Sequence, residues 1–166
     1  MINERAMVPS DILTASNGKT IEIVNTDAEG RLTLADALVY ADKELQCERI
    51  IELSTLTGAV MVSLGTDVCG LWTDSKDLAS EIADASKRTN ELSWRMPLVK
   101  KYNTLIKSNI ADIKNSGARY GGAIAAGKFV IFGILVFSLY EKKKLSTFCF
   151  INAFSKIYSI YCFSSS

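Results

Sequence analysis

Asn25-Thr26-Asp27-Ala28-Glu29-Gly30-Arg31 is the stretch from which the fold can be read. Before it, Thr20-Ile21-Glu22-Ile23-Val24 alternates as a strand does. After it, Leu32 to Leu45 carries apolar residues at helical spacing. The acids therefore sit where a strand ends and a helix begins, which is where open α/β sheets gather ligands. Were the segment extended, Asp27, Glu29 and Arg31 would share one face. The two carboxylates would then lie about 7 Å apart along the backbone. That spacing suits one divalent cation gripped or two bridged, with a guanidinium beside them for an anion. By spacing alone, a solvated strand end with a short-range ion pair accounts for the same residues.

Composition narrows the chemistry. The 166 residues contain no histidine, which removes Ser-His-Asp and Cys-His nucleophile systems and the His-Glu-x-x-His zinc helix. Metal chemistry here would have to use carboxylate oxygens, which suit magnesium, manganese or zinc. A hydrophobic content of 48% describes a core-forming chain, and a formal charge of +1 gives no reason to expect a nucleic-acid partner. Cys47, Cys69, Cys149 and Cys162 show no close pairing, so free thiols in a reducing compartment are expected. The mixed charge of Met1-Ile2-Asn3-Glu4-Arg5 does not read as a signal peptide, and a cytoplasmic location is expected, with an organelle as the alternative.

Asn25 through Leu32, running on as Thr33-Leu34-Ala35-Asp36-Ala37-Leu38, resembles the signature of the leucyl (cytosol) aminopeptidase family. Further segments are similar to that family: Ser54-Thr55-Leu56-Thr57-Gly58-Ala59, Trp94-Arg95-Met96-Pro97-Leu98, Asn109 to Asn115, and Tyr120 to Ala126. The resemblance implies a two-metal peptidase acting on peptides with a free, leucine-like amino terminus. Two divalent cations (Mn2+ or Zn2+, with Mg2+ the alternative) would activate a bridging water and polarise the scissile carbonyl. By matching motif, Asp27 and Glu29 would be metal ligands. Arg31 would stabilise the developing gem-diolate, or hold a small anion such as bicarbonate. Asn25 and Ala28 would border the pocket for the first side chain, and Thr55, Leu56, Thr57 and Gly58 would line the substrate site. On residue type alone, that loop is a helix cap.

The family's remaining metal ligands, a lysine and two aspartates, and its catalytic lysine lie well before the acidic motif. Only 26 residues precede Asp27 here. Asp36 reads as a solvated helical acid, and nothing in the motif makes Asp112 a ligand. Half a two-metal site binds poorly, because affinity follows ligand number and preorganisation, so little peptidase activity is expected of the chain alone. The family assembles as a homo-oligomeric hexamer, so a non-catalytic module that joins or poisons intact oligomers is the alternative.

The fold implied is a three-layer α/β/α domain around a mixed, mostly parallel sheet, incomplete relative to the family. Strand Thr20–Val24 would lead through the helix from Leu32 to Leu45 to strand Arg49–Leu53 by a right-handed parallel crossover, with helix Val60–Leu64 and strand Val68–Thr73 following. Helix Lys76–Arg88 would be capped by Asp74 or Ser75, and Trp94 and Met96 would pack inward. Asn17-Gly18 would supply the positive backbone angles of a hairpin turn.

A seam follows residue 126. All seven Phe lie at or beyond Phe129, and the last 38 residues carry a net +3 against −2 before them. Residues 1–126 read as the partial catalytic domain and 127–166 as a divergent tail. Its composition resembles translated AT-rich intron, entered where Gly127-Lys128-Phe129 can be encoded as a splice donor. The uncharged run from Phe129 to Tyr140 is shorter than the roughly 20 residues a bilayer crossing takes, so a membrane anchor is not expected.

Overall fold

The computed structural model describes residues 4–131, 147–151 and 159–163. Strands β1 (Ile12–Thr14) and β2 (Thr20–Glu22) form an antiparallel hairpin in which Thr14 faces Thr20. Gly18 N donates to Ala15 O and Ala15 N to Lys19 O, both at 2.8 Å. Gly18 alone in this turn takes a positive φ, +85°. The expected pair of positive angles is thus replaced by a three-residue loop with glycine in the left-handed position. Asn17 instead accepts the Lys19 amide through Oδ1 at 3.0 Å.

Helix α1 (Gly30–Lys43) buries Arg31, Leu34, Ala35, Leu38, Val39 and Ala41, residues at spacings of three and four that make one stripe. Leu45, expected on that stripe, lies past the helix end and is exposed. The stripe packs on Ile50 of β3 (Arg49–Ser54), with Ile21 and Phe129 completing the cluster. Each such aliphatic side chain taken out of water contributes about 1.5–3 kcal/mol.

After β3 come α2 (Ala59–Leu64), β4 (Cys69–Trp72), α3 (Lys76–Thr89) and β5 (Ser93–Arg95). Ser75 caps α3, its Oγ accepting from Leu78 N at 3.3 Å, and Lys87 and Arg88 occupy the last turn. A 3₁₀ helix (Lys100–Ile106) leads to β6 (Ile113–Lys114), which runs parallel to β2. The segment Asn109 to Asn115 becomes a strand for two residues only. Ser108 Oγ first accepts from the amides of Ile110 and Ala111, each at 3.0 Å, and bends the chain. Helix α4 (Gly122–Lys128) follows Gly121 at φ +76° and passes into a π turn over Phe129 to Ile131.

From the tail, β7 (Thr147–Ile151) and β8 (Ser159–Phe163) join the second sheet, whose order is β5-β4-β7-β3-β8. The run from Phe132 to Tyr140 lies outside the described residues. The mixed α/β character expected from the sequence is present. The parallel crossover from β2 through α1 to β3 is not: β2 lies in a sheet with β1 and β6, while β3 lies in the other sheet, between β7 and β8. The reason is that β7 and β8 fill both edges of β3. Among the described strands, parallel and antiparallel pairings are equal in number.

Two further expectations are corrected. Cys47 and Cys162 form a disulfide with Cα atoms 5.3 Å apart, so they are not free thiols. Antiparallel pairing of β8 on β3 sets Cys162 opposite Ile50, three residues past Cys47. A separation of 115 residues hid that pairing. Cys69 is free and half-buried, and burial pushes its thiol up. Trp94 faces solvent at 64% exposure on edge strand β5. Met96 does pack, against the cluster of Val60 and Trp72. Trp72 is fully buried between Gly70 and Gly127, where neither position has room for a Cβ. Among the described residues, no helix is long and apolar enough to cross a membrane.

Candidate functional site

The corner between β2 and α1 is a turn followed at once by helix. Ala28 N donates to Asn25 O at 3.3 Å, and Asp27 N donates to Asn25 Oδ1 at 3.0 Å, an Asx turn. Glu29 already has helical angles, φ −75° and ψ −36°. The extended geometry expected for Asp27, Glu29 and Arg31 is therefore absent, and with it their common face. Asn25, Asp27 and Glu29 face water, whereas Ala28 and Arg31 are 8% and 7% exposed. Helical spacing explains this, since Arg31 stands one turn before Leu34 and Ala35 on the core-facing stripe.

Arg31 reaches across the interior. Its Nη1 donates to Asn115 O at 2.9 Å, its Nη2 lies 3.5 Å from Leu56 O, and its guanidinium is 5.7 Å from the centre of the Phe129 ring. The contact to Leu56 ties the start of α1 to the Thr55 to Gly58 loop, the segment for which the family resemblance implies a substrate-lining role. In that loop Thr57 Oγ1 accepts from Ala59 N at 3.2 Å, and Gly58 is the N-cap of α2. Thr55, Leu56 and Thr57 are half-buried, Gly58 is exposed, and the space beside its Cα is open. Leu56 packs against both neighbouring core clusters.

The carboxylates of Asp27 and Glu29 make no hydrogen bond or ion pair to a described residue. Two unengaged oxygen-donor groups suit a hard divalent cation, but such ions take six or more oxygens. Among the described residues, no group of three or more His, Cys, Asp or Glu is placed to hold an ion. Asp27 and Glu29 thus fit as part of a ligand set. Asp112 lies elsewhere, its carboxylate accepting Thr20 N and Thr20 Oγ1 at 2.8 and 2.9 Å. Those hydrogen bonds hold its carboxyl below the usual range. Asp36 accepts Ser16 N at 2.8 Å and serves to tie α1 to the hairpin.

The sequence reading missed Asn115. It is fully buried, and its amide bonds the backbone of residues 24, 25 and 28 from beneath the corner. Its segment resembles the family's, but a tertiary hydrogen bond across roughly 90 positions leaves no local mark in the sequence.

Residues 1–135 match the model of the cytosol aminopeptidase family, catalytic domain. The chain belongs to the cytosol aminopeptidase family. It is 61% identical over 130 residues to a probable cytosol aminopeptidase of Picosynechococcus, covering 78% of this chain and 26% of that one. The corresponding protein of Nostoc punctiforme is 59% identical over the same share of each. Among solved structures, a mutant tomato leucine aminopeptidase superimposes with a TM-score of 0.83 at 46% identity, covering 92% of this chain and 29% of that one. Cytosol aminopeptidase from Coxiella burnetii gives 0.81 at 37% identity, covering 92% and 32%. The chain therefore spans about a quarter of the length of the curated relatives it matches. The family match runs nine residues beyond the expected boundary at 126.

Proposed function

We propose that this chain carries part of the active site of a two-metal aminopeptidase that removes leucine-like residues from peptide amino termini. The observation that supports this reading is the contact of Arg31 Nη2 with Leu56 O, which joins the start of the helix that follows the exposed Asp27 and Glu29 to the Thr55 to Gly58 loop. Asp27 and Glu29 would hold divalent cations, manganese or zinc with magnesium the alternative. Such ions supply a nucleophilic water at neutral pH and a clamp for developing negative charge. Asn25 and Ala28 border the pocket for the first side chain. Backbone groups of Thr55, Leu56, Thr57 and Gly58 orient the peptide. Arg31, the cation beneath the corner, is the group for bicarbonate or for charge developing on the substrate.

Alone, the chain is proposed to turn over little or no substrate, because two carboxylates are an incomplete ligand set. Assay of the purified chain with Mn2+ and leucine amide tests this. Background rates are expected, and robust turnover abolished by Glu29→Ala would overturn it.

A second reading is an assembly module that joins or poisons full-length, hexameric aminopeptidase in the cytosol. It is favoured by exposed apolar residues, Val62 at 90%, Tyr120 at 85% and Trp94 at 64%, which suit burial against further protein. Mixing with intact enzyme and weighing the oligomers decides it. In the completed domain, the strands before residue 127 would belong to the central layer of the three-layer, mostly parallel arrangement. The tail from residue 127 is proposed to be unspliced intron, and a contiguous coding exon through codon 128 in mature transcript would end that idea.

A further inference from the structure

We propose that Asn115 is the positioning residue for the acidic corner, a role that rests on reading Asp27 and Glu29 as metal ligands. A side-chain amide has two acceptor positions and two donor hydrogens. Asn115 spends all four on one turn. Oδ1 accepts from Val24 N at 3.0 Å and Asn25 N at 3.2 Å. Nδ2 donates to Asn25 O at 2.6 Å and Ala28 O at 3.4 Å.

The main chain of the same residue extends the grip on both sides. Its N–H donates to Glu22 O at 2.9 Å, at the end of β2, and its carbonyl accepts from Arg31 Nη1 at 2.9 Å, in the first turn of α1. One residue on a different segment thus holds the strand end, the turn and the helix start together. It is fully buried, while Asp27 and Glu29 are exposed. No other side chain engages this turn's backbone at so many points among the described residues. Asn115 hydrogen-bonds neither acid, so it acts on them through the backbone between Val24 and Ala28.

Replacement by Asp separates this role from packing. Asn115→Asp keeps the volume and the acceptor oxygen, but turns the donor into an oxygen facing the carbonyls of Asn25 and Ala28. A space-filling role would tolerate the change. A positioning role would not, because two acceptors cannot bond and the turn is pushed away.

The test uses the 166-residue chain and Mn2+ as probe, read by paramagnetic broadening of amide NMR signals. Broadening in the wild type is expected around residues 27–29 and is expected to vanish in an Asp27→Asn, Glu29→Gln double variant. Asn115→Asp is expected to weaken Mn2+ binding about tenfold or more, the scale at which supporting partners of metal ligands act. Leu38→Ala, which loosens the core without touching the turn, is expected to leave Mn2+ affinity unchanged. Wild-type affinity in Asn115→Asp would overturn the inference while leaving the ligand reading standing. Absence of broadening in the wild type would sink the ligand reading and the inference with it. Should Asn115→Asp not fold, hydrogen exchange in the wild type decides. The Val24 and Asn25 amides are expected to be protected, and rapid exchange at both would overturn the role.

Discussion

Arg31 Nη1 donates to the carbonyl of Asn115 at 2.9 Å, joining α1 to a segment 84 positions away. The guanidinium stands almost wholly out of water while Asp27 and Glu29, four and two residues earlier, stand in it. The motif is thereby split by its own helix into an inner cation and an outer acidic pair.

Arg31→Ala leaves the Asn115 carbonyl without its charged donor in a buried setting. A loss of about 2–3 kcal/mol is expected. For a chain of this size that is a fall in melting temperature of about 2–4 °C per kcal/mol. Urea denaturation followed by circular dichroism measures it, and an unchanged midpoint would contradict the placement.

The Cys47–Cys162 bridge closes a loop of 115 residues. On the chain-entropy account its removal by dithiothreitol, or by Cys162→Ser, lowers stability by about 3–5 kcal/mol. Comparing denaturation midpoints with and without reductant checks this. Thiol counting under native conditions, which should find Cys47 and Cys162 unreactive, checks the bridge itself.

Ser75 Oγ accepts from Leu78 N at the start of α3. Ser75→Ala is expected to cost about 1 kcal/mol, the usual worth of an N-cap, and Ser75→Asp to restore it. Thermal melts of the three proteins give the comparison.

Asp112 supplies an acid-sensitive contribution. Its carboxylate accepts from Thr20 N and Oγ1, which hold its proton affinity below that of the unfolded chain. Between the folded and unfolded values the unfolded chain binds more protons. The stabilisation is therefore complete above the ordinary carboxylate range, about pH 4, and drains away as pH falls through the lower folded value. Melting temperature measured from pH 2 to 6 is expected to fall less steeply for Asp112→Asn than for the wild type. Parallel curves would remove Thr20 as the cause.

Helices and strands near the acidic corner could be read locally because their signals are local. Leu34, Leu38 and Val39 repeat at helical spacing, Ser75 precedes an amphipathic run, and Asn17-Gly18 marks a reversal. The family, too, was legible from a contiguous motif. What misled was treating Asn25 to Arg31 as extended, since the sequence carries the side chains but not the Asx turn that bends them.

The order of residues determined, by itself, where the elements from β2 to α3 lie and to which family the chain belongs. Tertiary structure alone decided that β7 separates β3 from β4, that Cys47 meets Cys162, that Arg31 turns inward, and that Asn115 holds the corner. Periodicity records which face of an element is apolar. It does not record which distant backbone a buried polar group will find, because that partner is set by packing across 84 to 115 positions of chain.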